Sequence, residues 1–412
     1  MVRKLKGKES FYPEITLIIP VYNSESSLRA CIKSIAESNY DKSKLFIMLV
    51  NNQGKDDSFG VFQQCQKEFP ELTMNWMNAK QGKSKALNLA LFNSYGKYII
   101  HIDSDGVLHK DAIRNMVNQF EKNKKVDCLT GVVLTNPKMI DETSGFFLRL
   151  LRKTEFFEYC QAFLAGRNFE AEFNSIYTLS GAFSAFRKST ILKTKLYNTD
   201  TVCEDTHVTF QVRSNLKKKV SICTNAFFFV DPIEDLNQLY TQRQRWQRGE
   251  LEVSHMFSDR GLGRASGFIN NFVVRLLMYD HTFAFPRMIW YFALICLTFM
   301  NYPMNLVIVS LVLIFGFYTL SAFIYYLNIC SFLKDYHDLK KYYQRKWYLI
   351  FFLPLFNFLV FWFRFAGIIN SINSSLVWKT KNLTEEKQIF VNIVKGDIAF
   401  FEKILGKKQK KT

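Results

Sequence analysis

Residues 283–378 most constrain what this chain can fold into. Two stretches, 283–301 and 304–330, are apolar almost throughout and crowded with Phe, Tyr, Trp, Leu and Ile. Each is long enough to cross a bilayer, which takes about 20 mainly apolar residues. The turn Asn301-Tyr302-Pro303 separates them. A third stretch, about 347–372, carries Pro354, Asn357 and Arg364, so it suits a kinked, re-entrant or cavity-lining segment better than a plain span. Three such stretches, flanked by Trp, Tyr and basic residues, point to a membrane region rather than to the buried bundle of a soluble protein. Residues 1–265 instead mix charged and apolar residues, and the shift in composition marks the main boundary. The overall hydrophobic fraction of 48% hides that division.

The formal charge of +18 at pH 7 needs a physical outlet. Nucleic acid, an anionic membrane surface and phosphorylated small molecules are the usual ones. Basic residues gather beside the apolar stretches, between Lys334 and Lys346 and in the tail Lys407–Lys411. That is where loops kept on the cytoplasmic side carry them. No nucleic-acid motif of the usual kinds is present, so a membrane is expected as partner and nucleic acid is not. The eight cysteines form no CxxC pair and no framework spacing, which argues against a disulfide scaffold or a zinc site. The opening Met1–Lys8 lacks an apolar core, so no signal peptide is expected.

Within the first half, short apolar runs alternate with helical patterns. Ile15–Pro20 and Leu45–Val50 read as buried strands, residues 72–77 as a weaker one, and Lys97–Ile102 as a fourth. Helices are expected from Ser24 or Ser26 to about Glu37 and over 84–94. This alternation predicts an α/β fold with a parallel sheet wrapped by helices. In such sheets ligands bind at the carboxyl ends of the strands, where the polar stretches Asn51–Asp57 and Asp103–Asp105 lie.

Asp103-Ser104-Asp105 offers two carboxylates on one tight turn, which can reach a single hard cation of the Mg²⁺ or Mn²⁺ type. By itself this spacing also describes ordinary solvated acids. The chain continues with Ser180-Gly181, Cys203-Glu204-Asp205 and Gln242-Arg243-Gln244-Arg245-Trp246. A pair of adjacent acids in a partly buried pocket raises the basicity of one of them, as a general base needs. Gly82-Lys83 opens a helix, a place that suits an anion. A surface lysine is the plain alternative.

Together with Ile19-Pro20-Val21-Tyr22-Asn23 and Gly82–Asn88, this ordered set resembles the processive family 2 glycosyltransferases: the cellulose, hyaluronan and poly-N-acetylglucosamine synthases and their bacterial exopolysaccharide relatives. The resemblance covers roughly residues 14–255, and its most specific element is the QxxRW pattern of Gln242, Arg245 and Trp246. It implies a nucleotide-binding GT-A-type domain with a parallel-centred mixed sheet, then interfacial helices and a helical membrane region. By resemblance Asp205, with Glu204 beside it, is the catalytic base. Asp103 contacts the nucleotide and, with Asp105, the metal. Lys83, Asn52 and Arg245 serve the donor, and Trp246, Gln242, Ser180 and Gly181 the acceptor. Cys203 stands where the family has Thr. Asn51-Asn52 stands where the family commonly has an Asp that reads the nucleobase. Asp56 matches a later family acid or only shapes its turn.

The expected organisation is a basic extension over 1–13, a cytoplasmic glycosyltransferase domain over 14–230, interfacial helices over 231–282, a membrane region over 283–378 and a basic amphipathic tail over 379–412. The expected activity is inverting transfer of a hexosyl unit, of the glucose or N-acetylglucosamine type, from a UDP-sugar to a growing polysaccharide at the plasma membrane. Transfer of a single sugar to a lipid carrier, and an inactive nucleotide-binding subunit, are the alternatives. Three apolar segments make a thin polymer channel, so a homo-oligomer or a partner membrane subunit is a further expectation.

Overall fold

A computed structural model describes residues 12–201, 203–258, 284–373, 382–388 and 391. Residues 1–11 of the expected basic extension, 259–282 of the interfacial region, 283 and 374–378 of the membrane region and most of the tail lie outside the described residues.

An eight-stranded mixed sheet forms the core, in the order β3-β2-β1-β4-β7-β6-β8-β5. The strands are β1 (Ile15–Val21), β2 (Leu45–Asn51), β3 (Thr73–Asn78), β4 (Tyr98–Ile102), β5 (Gly106–Leu108), β6 (Val126–Thr135), β7 (Phe183–Arg187) and β8 (Lys219–Val230). β1 pairs in parallel with β2 and β4, and β2 with β3. This half is the parallel sheet that the apolar runs predict. β7 then inserts antiparallel between β4 and β6. The sheet therefore has the expected GT-A-like arrangement, parallel at its centre and mixed overall.

Helices α1 (Leu28–Ala36), α2 (Ser58–Glu68), α3 (Lys83–Phe92) and α4 (Ala112–Lys122) cover the sheet. α1 shows why. Leu28, Cys31, Ile32 and Ile35 fall on one face at helical spacing and are fully buried. Short helices α5 (Pro137–Asp141), α7 (Arg167–Glu172), α8 (Lys188–Ile191) and α9 (Glu204–Phe210) and the longer α6 (Phe146–Tyr159) complete this part. A π-helical turn, Cys160–Gly166, joins α6 to α7.

The 23-residue helix α10 (Leu236–Ser258) carries Gln242, Arg245 and Trp246. Beyond it lie α11 (Ala284–Phe299), α12 (Met304–Phe332), α13 (His337–Gln344) and α14 (Leu353–Asn373). α12 has a mean hydropathy of 2.4 over its most apolar window, and only 11% of that window is buried. Its apolar side chains thus face out of the protein, as those of a lipid-facing helix do. α14 is also long enough to cross a membrane, but 39% of its window is buried, largely against α10. Its chain enters through a 3₁₀ turn, Trp347–Ile350, just before Pro354. Such a break suits a proline in the first helical turn. α13, in the basic loop between α12 and α14, docks on the sheet domain. Tyr343 stacks on Phe157 at 4.2 Å between ring centres, and the Tyr336 hydroxyl donates to the Asn225 carbonyl at 2.8 Å.

Candidate active site

At the carboxyl ends of β1, β2 and β4, three loops are stitched to one another. Ser24 and Ser104 share a hydroxyl hydrogen bond of 2.7 Å. Asn52 uses its side-chain oxygen to accept from the Gly82 amide at 2.6 Å. Gly82 adopts φ +127° as it opens α3, a conformation that costs glycine little and other residues much. Asp56 accepts from the Glu25 amide and the Ser58 hydroxyl, both at 2.7 Å, and so shapes its turn.

The strand-end stitching places Lys83 at the centre of the cleft. Its ammonium lies 2.6 Å from Asp103 Oδ1 and 3.6 Å from Glu204 Oε1, and it donates to the Gly181 carbonyl at 3.4 Å. Residues 83, 103, 181 and 204 thus meet, although 121 positions separate the first from the last. Burial opposes the charge on Lys83, but the carboxylates of Asp103 and Glu204 outweigh it and hold its pKa up. For Asp103 burial is likewise outweighed, by the Lys83 charge and by His101, and its pKa is held down. Burial pushes Glu204 up, against the pull of Lys83 and helped by Asp205.

Asp105 sits at the exposed mouth of the cleft. Loss of hydration there and the nearby charge of Asp103 push its carboxyl up to about 6. Asp105, beside the Lys83-paired Asp103, suits a hard divalent ion, which binds through one or two carboxylates and keeps its other positions for water and phosphate. Among the described residues no cluster of three or more His, Cys, Asp or Glu offers a closed protein cage.

Asp205 lies in the first turn of α9, and its Oδ1 accepts from the Thr206 amide at 2.7 Å. Its other oxygen approaches so closely that a Cβ on Gly181 would lie 2.9 Å from it. The Ser180-Gly181 pair is therefore small where the acid must pass, and the Ser180 amide is fixed by a 3.1 Å bond to the Thr130 hydroxyl.

Helix α10 meets this acid pair from the far side. A Cβ on Gly249 would lie 1.9 Å from the Cys203 sulfur, so only glycine lets the helix rest there. Arg245 and Trp246 are half-buried. The Trp246 ring lies 6.0 Å from Phe163 and carries the Arg243 guanidinium at 4.3 Å. Arg243 is itself fully buried and paired with Glu158 of α6. The Gln242 side-chain oxygen is buried and lacks a hydrogen-bond partner among the described residues.

Several residues here escape the motif reading. Arg243 sits inside the motif, and its buried pairing across to α6 is invisible in sequence. His101 is buried, with Nε2 3.6 Å from Asp103 Oδ1. Its signal was available: a polar residue in an apolar strand, two positions before Asp103 and so on the same face. Asp231 follows β8 directly, and the register Gly106↔Val230 sets it beside Asp105.

Comparison with known proteins bears on the fold that carries this cleft. Residues 16–192 match the family model described as glycosyl transferase family 2. The poly-beta-1,6-N-acetyl-D-glucosamine synthase of Staphylococcus epidermidis is 24% identical over 253 residues, covering 60% of this chain and 57% of its own length. The protein of the same name from Staphylococcus aureus strain COL is 24% identical over 240 residues, covering 58% and 55%. The chain thus spans little more than half the length of these relatives. Among solved structures, a mannosyltransferase from Pyrobaculum calidifontis, in complex with GDP-Man and Mn²⁺, superposes with a TM-score of 0.59 at 14% identity over 88% of each chain. That likeness concerns the fold. With its sheet and its cleft, the segment 16–192 of this chain is similar to glycosyl transferase family 2 domains.

Proposed function

We propose that this protein is a membrane glycosyltransferase that transfers a hexosyl unit, of the N-acetylglucosamine or glucose type, from a UDP-sugar to a growing polysaccharide with inversion. One observation carries the reading. Lys83 joins Asp103 to Glu204 in a single cleft, and Gly249 of the QxxRW helix closes on Cys203 beside them. The names of the staphylococcal relatives favour N-acetylglucosamine.

In this reading Asp205 takes the proton from the acceptor hydroxyl as it attacks the anomeric carbon, and the bond to UDP breaks on the opposite face. The Thr206 amide fixes the orientation of that carboxylate. Glu204 and Lys83 hold the charge balance behind it. Asp103 and Asp105 would hold Mg²⁺ or Mn²⁺, which supplies positive charge to the diphosphate leaving group. Arg245 offers a planar fork of donors to the diphosphate. Trp246 offers a flat apolar face to the acceptor sugar, with Gln242, Ser180 and Gly181 lining the same side. Asn52 holds the loop that opens α3, and its amide group remains available to a nucleobase.

The catalytic domain would lie on the cytoplasmic face of the plasma membrane. Supporting this, the basic loop 334–346 docks on the catalytic domain through Tyr343 and Tyr336, and positive loops stay inside. α12 would cross the membrane with α11 beside it, although the 16 residues of α11 fall short of the span of about 20 expected over 283–301. α14 follows α10 along the catalytic domain. A homo-oligomer or a partner subunit would complete any channel.

The test is release of UDP by purified protein in detergent. UDP-N-acetylglucosamine, UDP-glucose and GDP-mannose are each supplied with Mg²⁺ or Mn²⁺, and then with excess chelator. Metal-dependent release from a UDP-sugar is expected. Release from none of them, or release indifferent to chelator, would contradict the reading.

A further inference from the structure

Helix α14 is apolar along most of its length, yet Arg364 lies at its centre, fully buried. A charged residue in such a helix is costly unless it is paired, and it marks a working contact by default. Arg364 faces α10. Its Nη1 donates to the Gln247 side-chain oxygen at 3.1 Å and lies 3.5 Å from Glu250 Oε2. Gln247 and Glu250 are themselves buried. One turn further along α14, a Cβ on Gly367 would lie 3.1 Å from the Gln244 carbonyl, so the two helices touch backbone to backbone.

The contact does not end at α10. Glu250 follows Gly249, whose backbone rests on Cys203, and Cys203 precedes Glu204 and Asp205. The chain after α14 returns to the same helix. Glu386 accepts from the Gln244 amide at 3.3 Å and from the Asn370 amide at 2.7 Å, and it pairs with the Tyr240 hydroxyl. On its other side α10 is held by the ion pair of Arg243 with Glu158. The motif helix is thus gripped from both flanks, and Arg364 supplies the charged grip from the apolar one.

We propose that Arg364 is a positioning residue: through Gln247 and Glu250 it fixes the register of the motif helix against Cys203, and sugar transfer depends on it more strongly than donor nucleotide binding does. The inference rests on the roles proposed above for Asp205 and Trp246. Lys83, Asp103 and Asn52 belong to other elements, so of the donor-side residues only Arg245 rides on the motif helix. A displacement of about 1 Å between catalytic groups lowers a rate by up to about 100-fold, and a shift of Gly249 on Cys203 is of that kind. The membrane-facing helix would then set the geometry of the catalytic centre instead of merely anchoring it.

The experiment compares the full-length wild type in detergent with Arg364→Met, Arg364→Lys and Glu250→Gln. Five quantities are read: kcat and KM for the UDP-sugar, affinity for UDP, and alkylation rates of Cys203 and of the buried Cys31 as reference, followed by peptide mass spectrometry. Arg364→Met should lower kcat by about 10- to 100-fold, weaken UDP affinity by a clearly smaller factor through Arg245, and speed alkylation of Cys203 but not of Cys31. Arg364→Lys should recover part of both effects, since it restores the charge without the fork. Glu250→Gln should shift Cys203 in the same direction. Unchanged kcat and an unchanged Cys203 rate would overturn the proposal. So would a parallel loss of UDP affinity and Cys31 protection, which marks general support of the fold. If the wild type turned over no UDP-sugar, the glycosyltransferase reading would fall, and the alkylation rates would still decide whether Arg364 positions Cys203. Should Arg364→Met not accumulate, Arg364→Lys and Glu250→Gln carry the same comparisons.

Discussion

At the scale of single residues, the cleft is a balance of carboxylates around one lysine. Lys83 lies within 2.6 Å of Asp103 and 3.6 Å of Glu204, while Asp205 is oriented by the Thr206 amide. Asp205→Asn keeps an acceptor oxygen for that amide but can no longer take a proton. UDP-sugar turnover should fall by about 10²- to 10⁴-fold with UDP affinity unchanged, read by UDP release and calorimetry. Full turnover in this variant would remove Asp205 as the base. A second buried acid belongs to packing. Burial pushes Glu155 from 4.5 up to about 8, against Arg243 and with Glu158 adding to the rise. The folded state thus keeps this proton at pH values where the unfolded chain has lost it. The stability it contributes is whole below about 4.5 and lost as pH rises towards 8. Glu155→Gln stays neutral throughout and can still accept from the Ile233 amide. Its Tm should exceed that of the wild type at pH 8.5 and match it at pH 5, and an equal difference at both pH values would contradict this. The motif acids were legible because their order along the chain is specific. The contacts that surround them, such as His101 with Asp103 or Arg243 with Glu158, join residues with no shared pattern.

At the scale of elements, the first four strands were legible because apolar residues dominate β1, β2 and β4 and alternate with polar ones in β3. β6 was not. It is buried along its whole length, yet Asp127 and Thr130 interrupt its run, and both find partners only in the fold: Asp127 accepts from Thr190 at 2.8 Å and Thr130 accepts from Arg167 at 2.9 Å. α14 shows a related limit. Pro354 and Arg364 announce that the segment is no plain span, but only the fold shows that Arg364 turns to α10. The tight seam between α10 and α9 gives a direct prediction. Gly249→Ala puts a methyl group on the Cys203 sulfur, and overpacking of this kind costs about 1–3 kcal/mol. Lower Tm and lower activity should follow, and both should recover when Cys203→Gly is added, since a glycine also serves at the start of α9. No recovery in the double variant would show that the two helices do not meet there.

At the scale of the whole molecule, the division between a mixed charged domain and an apolar C-terminal part was plain in composition. It is carried into a sheet domain on one side and the largely unburied α12 on the other. What composition could not show is how closely the apolar part is bound to the cleft: α13 stacks on α6, and α14 lies along the motif helix. This arrangement suits an enzyme that keeps its product at the membrane between additions, which is the central claim. The measurement that tests it most directly is the size of the product formed from radiolabelled UDP-N-acetylglucosamine by the purified full-length protein in lipid. The account predicts a ladder of long chains that grows with time and is absent in Asp205→Asn. A single-sugar lipid adduct that never lengthens would contradict it.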